Sequence, residues 1–326
     1  MKRHLYKKVI LIVIASIILI LFYHFVLSFK KAFDNNDASK PLSIPEERQY
    51  WGKQIDQIGP EKAYAEIKNK YDGDITNSHG MMHLFGELLY DKLGTEGITV
   101  CDSYAGFGCF HGFFNKSVLS GGINATVSMA EECSKKYSYG SGCHHGIGHI
   151  VLNLKNYDIN AALDFCKKLS GFSPEDNGCV GGVLMEYNQR TLREEDQSIK
   201  SRPWNESKPY SPCFEIEKMF RSACAHEQPD WWKTAYNFDF PKMGKLCFGF
   251  GSSLRYSCLK GIGRTASEKS EYDLEKTIAI CNSLPNLEST DMCKLGAAWT
   301  YKYVPEFSSL ASKVCDVGAK LKDECP

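Results

Sequence analysis

Fourteen cysteines, all beyond residue 100, mark this 326-residue chain at regular intervals. They fall into seven successive pairs: Cys101 and Cys109, Cys133 and Cys143, Cys166 and Cys179, Cys213 and Cys224, Cys247 and Cys258, Cys281 and Cys293, Cys315 and Cys325. Separations within the pairs are 8, 10, 13, 11, 11, 12 and 10 residues; between pairs they are 24, 23, 34, 23, 23 and 22. A near-constant long step alternating with a short one, with a period in the low-to-mid thirties, is the pattern of a helix-turn-helix repeat. A long step holds a helix of about ten residues, a tight turn and a second helix, and the short step links one hairpin to the next. The helix after each second cysteine is termed A, and the helix ending near the next first cysteine is termed B.

The segment Asp158 to Leu169 shows B plainly, with Asp158 as a cap and Ile159, Ala162, Leu163, Cys166 and Leu169 at helical spacing on one face. Disulfides are favoured over free core thiols or metal thiolates, because the count is even and no C-x-x-C pair is present. Pairing across each short step would close loops contributing roughly 3 kcal/mol apiece, although fourteen cysteines allow many connectivities. One long step, Cys179 to Cys213, is overlong; its excess, Arg190 to Pro209, reads as an excursion between helices A and B, either functional or a tolerated insertion.

The amino terminus points to the same oxidising compartment. Lys2, Arg3, Lys7 and Lys8 precede an apolar run over residues 9–27, which is long enough to span a bilayer and lacks a small-residue cleavage site. The sequence predicts a cytoplasmic segment 1–8, a transmembrane signal anchor 9–27, a linker 28–45 and an extracytoplasmic helical-repeat domain 46–326. The bulk would be periplasmic, extracellular or lumenal. Early in that domain, Pro60 suits the first turn of a helix through Ala63, Ile67 and Tyr71 that ends at Gly73. Basic and acidic residues balance at 39 each, which argues against a nucleic-acid partner.

The order of helix B, cysteine, short loop, Gly-Cys and helix A runs from Asp158 through Cys166 to Gly178-Cys179-Val180-Gly181-Gly182. In this it resembles the cysteine-rich Sel1-like and TPR-like helical-hairpin repeat proteins, over roughly residues 77–325. The resemblance implies an all-α, disulfide-stapled αα-hairpin solenoid that binds other molecules on its surface. Their usual Gly-x-Gly-Val turn and paired tyrosines are largely absent, so the likeness is architectural.

Aligning A helices on the second cysteine, with Asn77 in that slot of an earlier unit, puts Gly80, Gly112, Gly146, Gly182, Gly261 and Gly296 three residues on, and Glu227 as the exception. A glycine inside a helix costs about 1 kcal/mol relative to alanine, so the column implies close backbone approach by a neighbouring helix or a ligand. Two residues on stand His79, His111, His145, Gly181, His226, Lys260 and Leu295; six residues on stand His83, Asn115, His149, Met185, Asp230, Arg264 and Trp299. Residues i and i+4 share a helical face. His79 with His83 and His145 with His149 are therefore equivalent pairs, with His111 on the helix between them.

These five histidines suit a transition metal such as zinc, copper or iron, in a groove lined by A helices. Glu87 or Glu186 would add a ligand or a base on bound water, and an open coordination position would make the site catalytic. Satisfied histidines buried in a protein-protein scaffold, or hydrogen-bonding groups for a small-molecule ligand, remain alternatives. In the small-molecule case Lys260 and Arg264 would grip an anion. His144 points elsewhere, and Pro229 distorts the helix that carries His226. The triplets beginning at Asn115, Asn124 and Asn205 are glycosylation sequons only in a host that glycosylates. Trp231-Trp232 and Phe248-Gly249-Phe250 read as packing aromatics in preference to a sugar platform. No H-E-x-x-H, phosphate loop, Gly-x-Ser-x-Gly elbow or dinucleotide fingerprint is present.

Overall fold

A computed structural model describes residues 43–136, 142–169, 172, 178–189 and 202–326. The predicted anchor 9–27 and most of the linker lie outside the described residues, and no described helix is long and apolar enough to cross a membrane. The chain divides into two units, residues 1–49 and 50–326. The described part of the first is the opening of helix α1 (Ile44–Ile58), where the Glu46 carboxylate accepts from the Ser43 backbone N–H at 2.8 Å and from its hydroxyl at 2.7 Å. Both bonds run from Ser43 to Glu46, the half of a capping box in which the glutamate reaches back to the cap residue.

The second unit is all-helical among the described residues. After α2 (Pro60–Lys70) come α3 (Ile75–Leu93), α4 (Tyr104–Lys136), α5 (Gly142–Leu154), α6 (Ile159–Cys166), α7 (Cys179–Gln189), α8 (Arg221–Ala235), α9 (Phe240–Cys247), α10 (Ser252–Lys269), α11 (Leu274–Asn282), α12 (Leu287–Tyr303) and α13 (Ala311–Val314). The A helices are α3, the first half of α4, α5, α7, α8, α10 and α12. Each packs on the next.

All fourteen cysteines are paired, and every pair joins nearest neighbours across a short step. Cys101 bonds Cys109, Cys133 bonds Cys143, Cys166 bonds Cys179 and Cys213 bonds Cys224. Further along, Cys247 bonds Cys258, Cys281 bonds Cys293 and Cys315 bonds Cys325. Their Cα–Cα distances run from 5.3 to 6.0 Å, and no free cysteine remains. The second cysteine does not always open its A helix: Cys143 and Cys179 lie in the first turn of α5 and α7, but Cys224, Cys258 and Cys293 lie one to two turns inside α8, α10 and α12. Cys325 follows a 3-10 segment, Ala319–Glu324.

The hairpin corner repeats a local device that sequence periodicity did not reveal. Asn156-Tyr157, Asn237-Phe238 and Glu271-Tyr272 stand 13 and 14 residues beyond the second cysteine, and all six residues have positive φ. In each corner the aromatic N–H bonds back five residues: Tyr157 to Leu152, Phe238 to Lys233 and Tyr272 to Ser267. This is the six-to-one bond of a Schellman ending. The aspartate that follows caps the B helix: Asp158 accepts from the Ala161 N–H at 3.0 Å, Asp239 from Lys242 at 3.1 Å and Asp273 from Lys276 at 2.9 Å. Gly122 (φ 53) occupies the same place in α4, so the single range Tyr104–Lys136 is two helices meeting at a corner.

Two B positions depart from the expected pattern. Before Cys101 the chain forms a 3-10 segment, Gly94–Val100, in which a Cβ on Gly97 would sit 2.8 Å from the Leu89 carbonyl oxygen. Before Cys213 it runs in turns, as Pro203, Pro209 and Pro212 require. The end of the excursion is fastened by the tryptophan pair. Trp231 Nε1 donates to the Arg202 carbonyl at 3.0 Å and Trp232 Nε1 to the Pro209 carbonyl at 2.8 Å, while the Arg202 guanidinium lies 3.3 Å from the Trp231 ring centroid. Residues 190–201 lie outside the described residues.

Candidate metal centre

The glycine column determines how close the A helices come. A Cβ on Gly112 would lie 1.8 Å from the His83 carbonyl oxygen, one on Gly182 1.8 Å from that of His145, one on Gly261 2.0 Å from that of His226 and one on Gly296 2.1 Å from that of Lys260. Gly146 instead receives the Phe114 ring. Gly80, in the first A helix of the stack, has nothing within 4 Å. Where helix backbones touch, the side chains flanking the contact are forced together. That is how His111 of α4 comes beside His79 and His83 of α3.

The three rings are mutual neighbours, with centroids 4.5 Å apart for His79 and His83, 5.5 Å for His79 and His111, and 5.4 Å for His83 and His111. One nitrogen from each lies within 4.8 Å of the others. Among the described residues no other three histidine, cysteine, aspartate or glutamate side chains gather as closely.

Their hydrogen bonds set the tautomers. His79 Nδ1 lies 2.7 Å from the Ala105 carbonyl oxygen, which only accepts, so Nδ1 carries the hydrogen and the lone pair is on Nε2. Ala105 opens a run of three left-handed residues, Ala105, Gly106 and Phe107 (φ 50, 62 and 63), inside the Cys101–Cys109 loop, and that turn presents the carbonyl. The Nε2 atoms of His79 and His83 face each other at 2.9 Å, with His83 donating. Burial, followed by the His79 ring, lowers the His83 pKa to about 4. His111 is also held well below the usual histidine range, by burial first and then by His83, His149, His79 and His145. The His83 and His111 rings are therefore neutral at neutral pH, the form that ligates metals.

No protein-family model, curated protein or solved structure matches this chain.

The donor set fits a transition metal. Two imidazoles bound to one ion at about 2.0–2.1 Å and a tetrahedral angle hold their nitrogens roughly 3.4 Å apart. The 2.9 Å pair and the 4.8 Å limit of the set bracket that value, so modest ring rotations suffice. A ligating histidine ordinarily donates its second N–H to a carbonyl or carboxylate. The His79 bond to Ala105 is of that kind.

The other predicted residues divide into separate groups. His145 and His149 form the second pair, with ring centroids 5.0 Å apart, outside the close trio. Glu186, expected as a ligand or a base, is fully buried behind His149: one carboxylate oxygen lies 2.9 Å from His149 Nδ1 and the other accepts from the Tyr157 hydroxyl at 3.2 Å. It orients a histidine from behind. Glu87 lies one turn beyond His83, half-buried and outside the close trio. His144 is fully buried against the Ser134 hydroxyl, with its Nε2 3.1 Å away.

The expected anion grip is corrected. The Arg264 guanidinium is buried against two carboxylates of its own chain, bonding Glu227 at 2.7 Å and pairing with Asp230, while Lys260 reaches Glu324 at 3.2 Å. Arg264, Glu227 and Asp230, with Lys233 at 2.9 Å from Asp230, thus form a buried ion cluster, which takes the place of the missing glycine at Glu227. Burial, opposed by Arg264, leaves the Glu227 pKa raised to about 6. The helix carrying His226 runs unbroken through Pro229, contrary to expectation. His226 is held neutral, its pKa lowered to about 3 by burial and then by Arg264. It belongs to this ion cluster and lies outside the histidine trio.

Proposed function

We propose that this chain is a membrane-anchored, extracytoplasmic helical-repeat protein that binds a transition metal ion through His79, His83 and His111. One observation carries the reading: the Nε2 atoms of His79 and His83 face each other at 2.9 Å, with His79 anchored through Nδ1 and a neutral His111 completing the trio. Two hydrogen-bonded histidines would satisfy each other without a third. The third neutral ring, brought in by a glycine contact, favours metal over packing.

The compartment follows from chemistry. Seven disulfides and no free thiol suit an oxidising space, and the apolar run over residues 9–27 behind a basic amino terminus supplies the anchor. Three imidazoles suit zinc, copper or iron, and leave a coordination position for water or a ligand entering the groove.

The test is metal content of the full chain, purified in detergent without a histidine tag and re-equilibrated with zinc or copper. A tightly held equivalent that is lost in His83→Asn and in His111→Asn, with thermal stability of the metal-free proteins retained, is the expected result. Equal metal content in both variants and the parent overturns the assignment.

A further inference from the structure

Repeat geometry creates a second position, one repeat beyond the trio. Gly182 of α7 sits directly on the His145 carbonyl of α5, and Gly148 of α5 on the Cys179 carbonyl and the Gly182 backbone. With the two backbones in contact, the residue one turn past Gly182 must lie alongside His145. That residue is Met185, and its sulfur is 3.5 Å from His145 Nε2. Met185 occupies the same column as His83 and His149, six residues after the repeat's second cysteine.

We propose that His145, His149 and Met185 form a second metal position, selective for monovalent copper. Three observations bear on it. An ion held about 2.0–2.1 Å from nitrogen and about 2.3 Å from sulfur at a tetrahedral angle separates those donors by roughly 3.5 Å. The observed His145–Met185 distance already has that value, whereas a thioether is a poor hydrogen-bond acceptor and gains little from an N–H. His149 is oriented for the same task, because its Nδ1 hydrogen lies against Glu186, which places the lone pair on Nε2.

Charge and softness then select the ion. A thioether with two imidazoles is a soft, uncharged donor set, which prefers cuprous copper to zinc. Among the described residues one buried carboxylate, that of Glu186, stands behind His149 to offset a cation. A divalent ion would leave one charge uncompensated in a site whose His149 and Glu186 are 6% and 0% exposed. His145 and Met185 are half-buried, which gives the ion a way in from solvent.

The test separates this position from the trio. Full-length protein carrying His83→Asn, in detergent and without oxygen, is titrated with cuprous ion against the chromophoric chelator bicinchoninate, and copper-edge X-ray absorption is recorded on the product. The expected result is one retained cuprous ion with a sulfur neighbour at about 2.3 Å. In Met185→Leu, a volume-conserving change, that sulfur signal is lost and affinity falls at least tenfold, while Met129→Leu leaves both intact. Absence of sulfur around copper, or equal cuprous affinity in Met185→Leu, overturns the proposal whatever the fate of the three-histidine site.

Discussion

Alanine at Gly112 and alanine at Gly80 are chemically the same change in the same repeat column, and they should have opposite effects. At Gly112 the new Cβ would lie 1.8 Å from the His83 carbonyl oxygen, whereas carbon and oxygen in contact need about 3.3 Å. The helices α3 and α4 must therefore part by roughly 1.5 Å. Overpacking costs about 1–3 kcal/mol, and because the obstacle here is backbone, which cannot rotate aside, the upper part of that range, about 2–3 kcal/mol, applies. Against it stands a gain of about 1 kcal/mol from replacing a helical glycine. A net loss of roughly 1–2 kcal/mol is expected, a fall in Tm of about 3–6 °C for a unit of this size. Gly80 has nothing within 4 Å, so only the propensity gain applies and Tm should rise by about 1–3 °C. Thermal unfolding by circular dichroism, disulfides intact, measures both. The same parting withdraws His111 from its partners, so Gly112→Ala should also lose metal affinity while Gly80→Ala keeps it. Equal shifts in the two variants, or a neutral Gly112→Ala, would refute the claim that the glycines set the helix spacing and that the spacing builds the site.

Other consequences are sharp enough to measure. Removing one staple as the double variant Cys166→Ser with Cys179→Ser, a 13-residue closure, should cost about 3 kcal/mol in chemical denaturation under non-reducing conditions. Arg264→Met leaves Glu227 buried without its cation and Asp230 with Lys233 alone, and should destabilise by about 3–5 kcal/mol at pH 7, with part of the loss recovered towards pH 5 as Glu227 takes up a proton. For His83 the folded pKa, about 4, lies below the unfolded 6.5. The unfolded chain therefore binds the extra proton, and stability is full above pH 6.5 and falls as pH drops from about 6.5 to 4. Denaturant titrations at pH 7 and 4.5 should show a decline to which His83 contributes on the order of 2 kcal/mol beside His111 and His226, and His83→Asn should reduce it by that share.

The architecture was legible because cysteine spacing reports a local quantity. Each disulfide closes 8 to 13 residues, so nearest-neighbour pairing follows from short loops, and the A helices follow from the constant long step. Spacing alone did not say where each helix begins, because Cys224, Cys258 and Cys293 are held from within a helix that starts before them. The glycine column was legible for a reason like that of the cysteines, since a repeated helical glycine has few uses other than close approach. The trio was legible in part: His79, His83 and His111 share a register, but so do His145 and His149, which fall outside the close trio while lying near enough to His111 to lower its pKa. Partners across the stack were not legible. Arg264 and Glu227 stand 37 residues apart and neutralise each other in three dimensions, so a pair of basic residues that looked free for an anion is spent internally. Glu186 looked like a ligand because carboxylates ligate metals, yet burial behind His149 gives it the orienting role. Met185 was visible in the histidine column but is an ordinary core residue in most helices, and only its distance from His145 Nε2 distinguishes it. The corner of Asn or Glu, an aromatic residue and Asp was present three times at fixed distance from the cysteines; alignment on that column would have located the turns.

X-ray absorption at the zinc edge, on full-length untagged protein carrying His145→Asn and His149→Asn, tests the central claim most directly. With the second pair removed, the account predicts one zinc ion with three imidazole nitrogens at about 2.0–2.1 Å, reduced on adding His111→Asn. A zinc ion with no imidazole neighbours, or none bound at all, would contradict it.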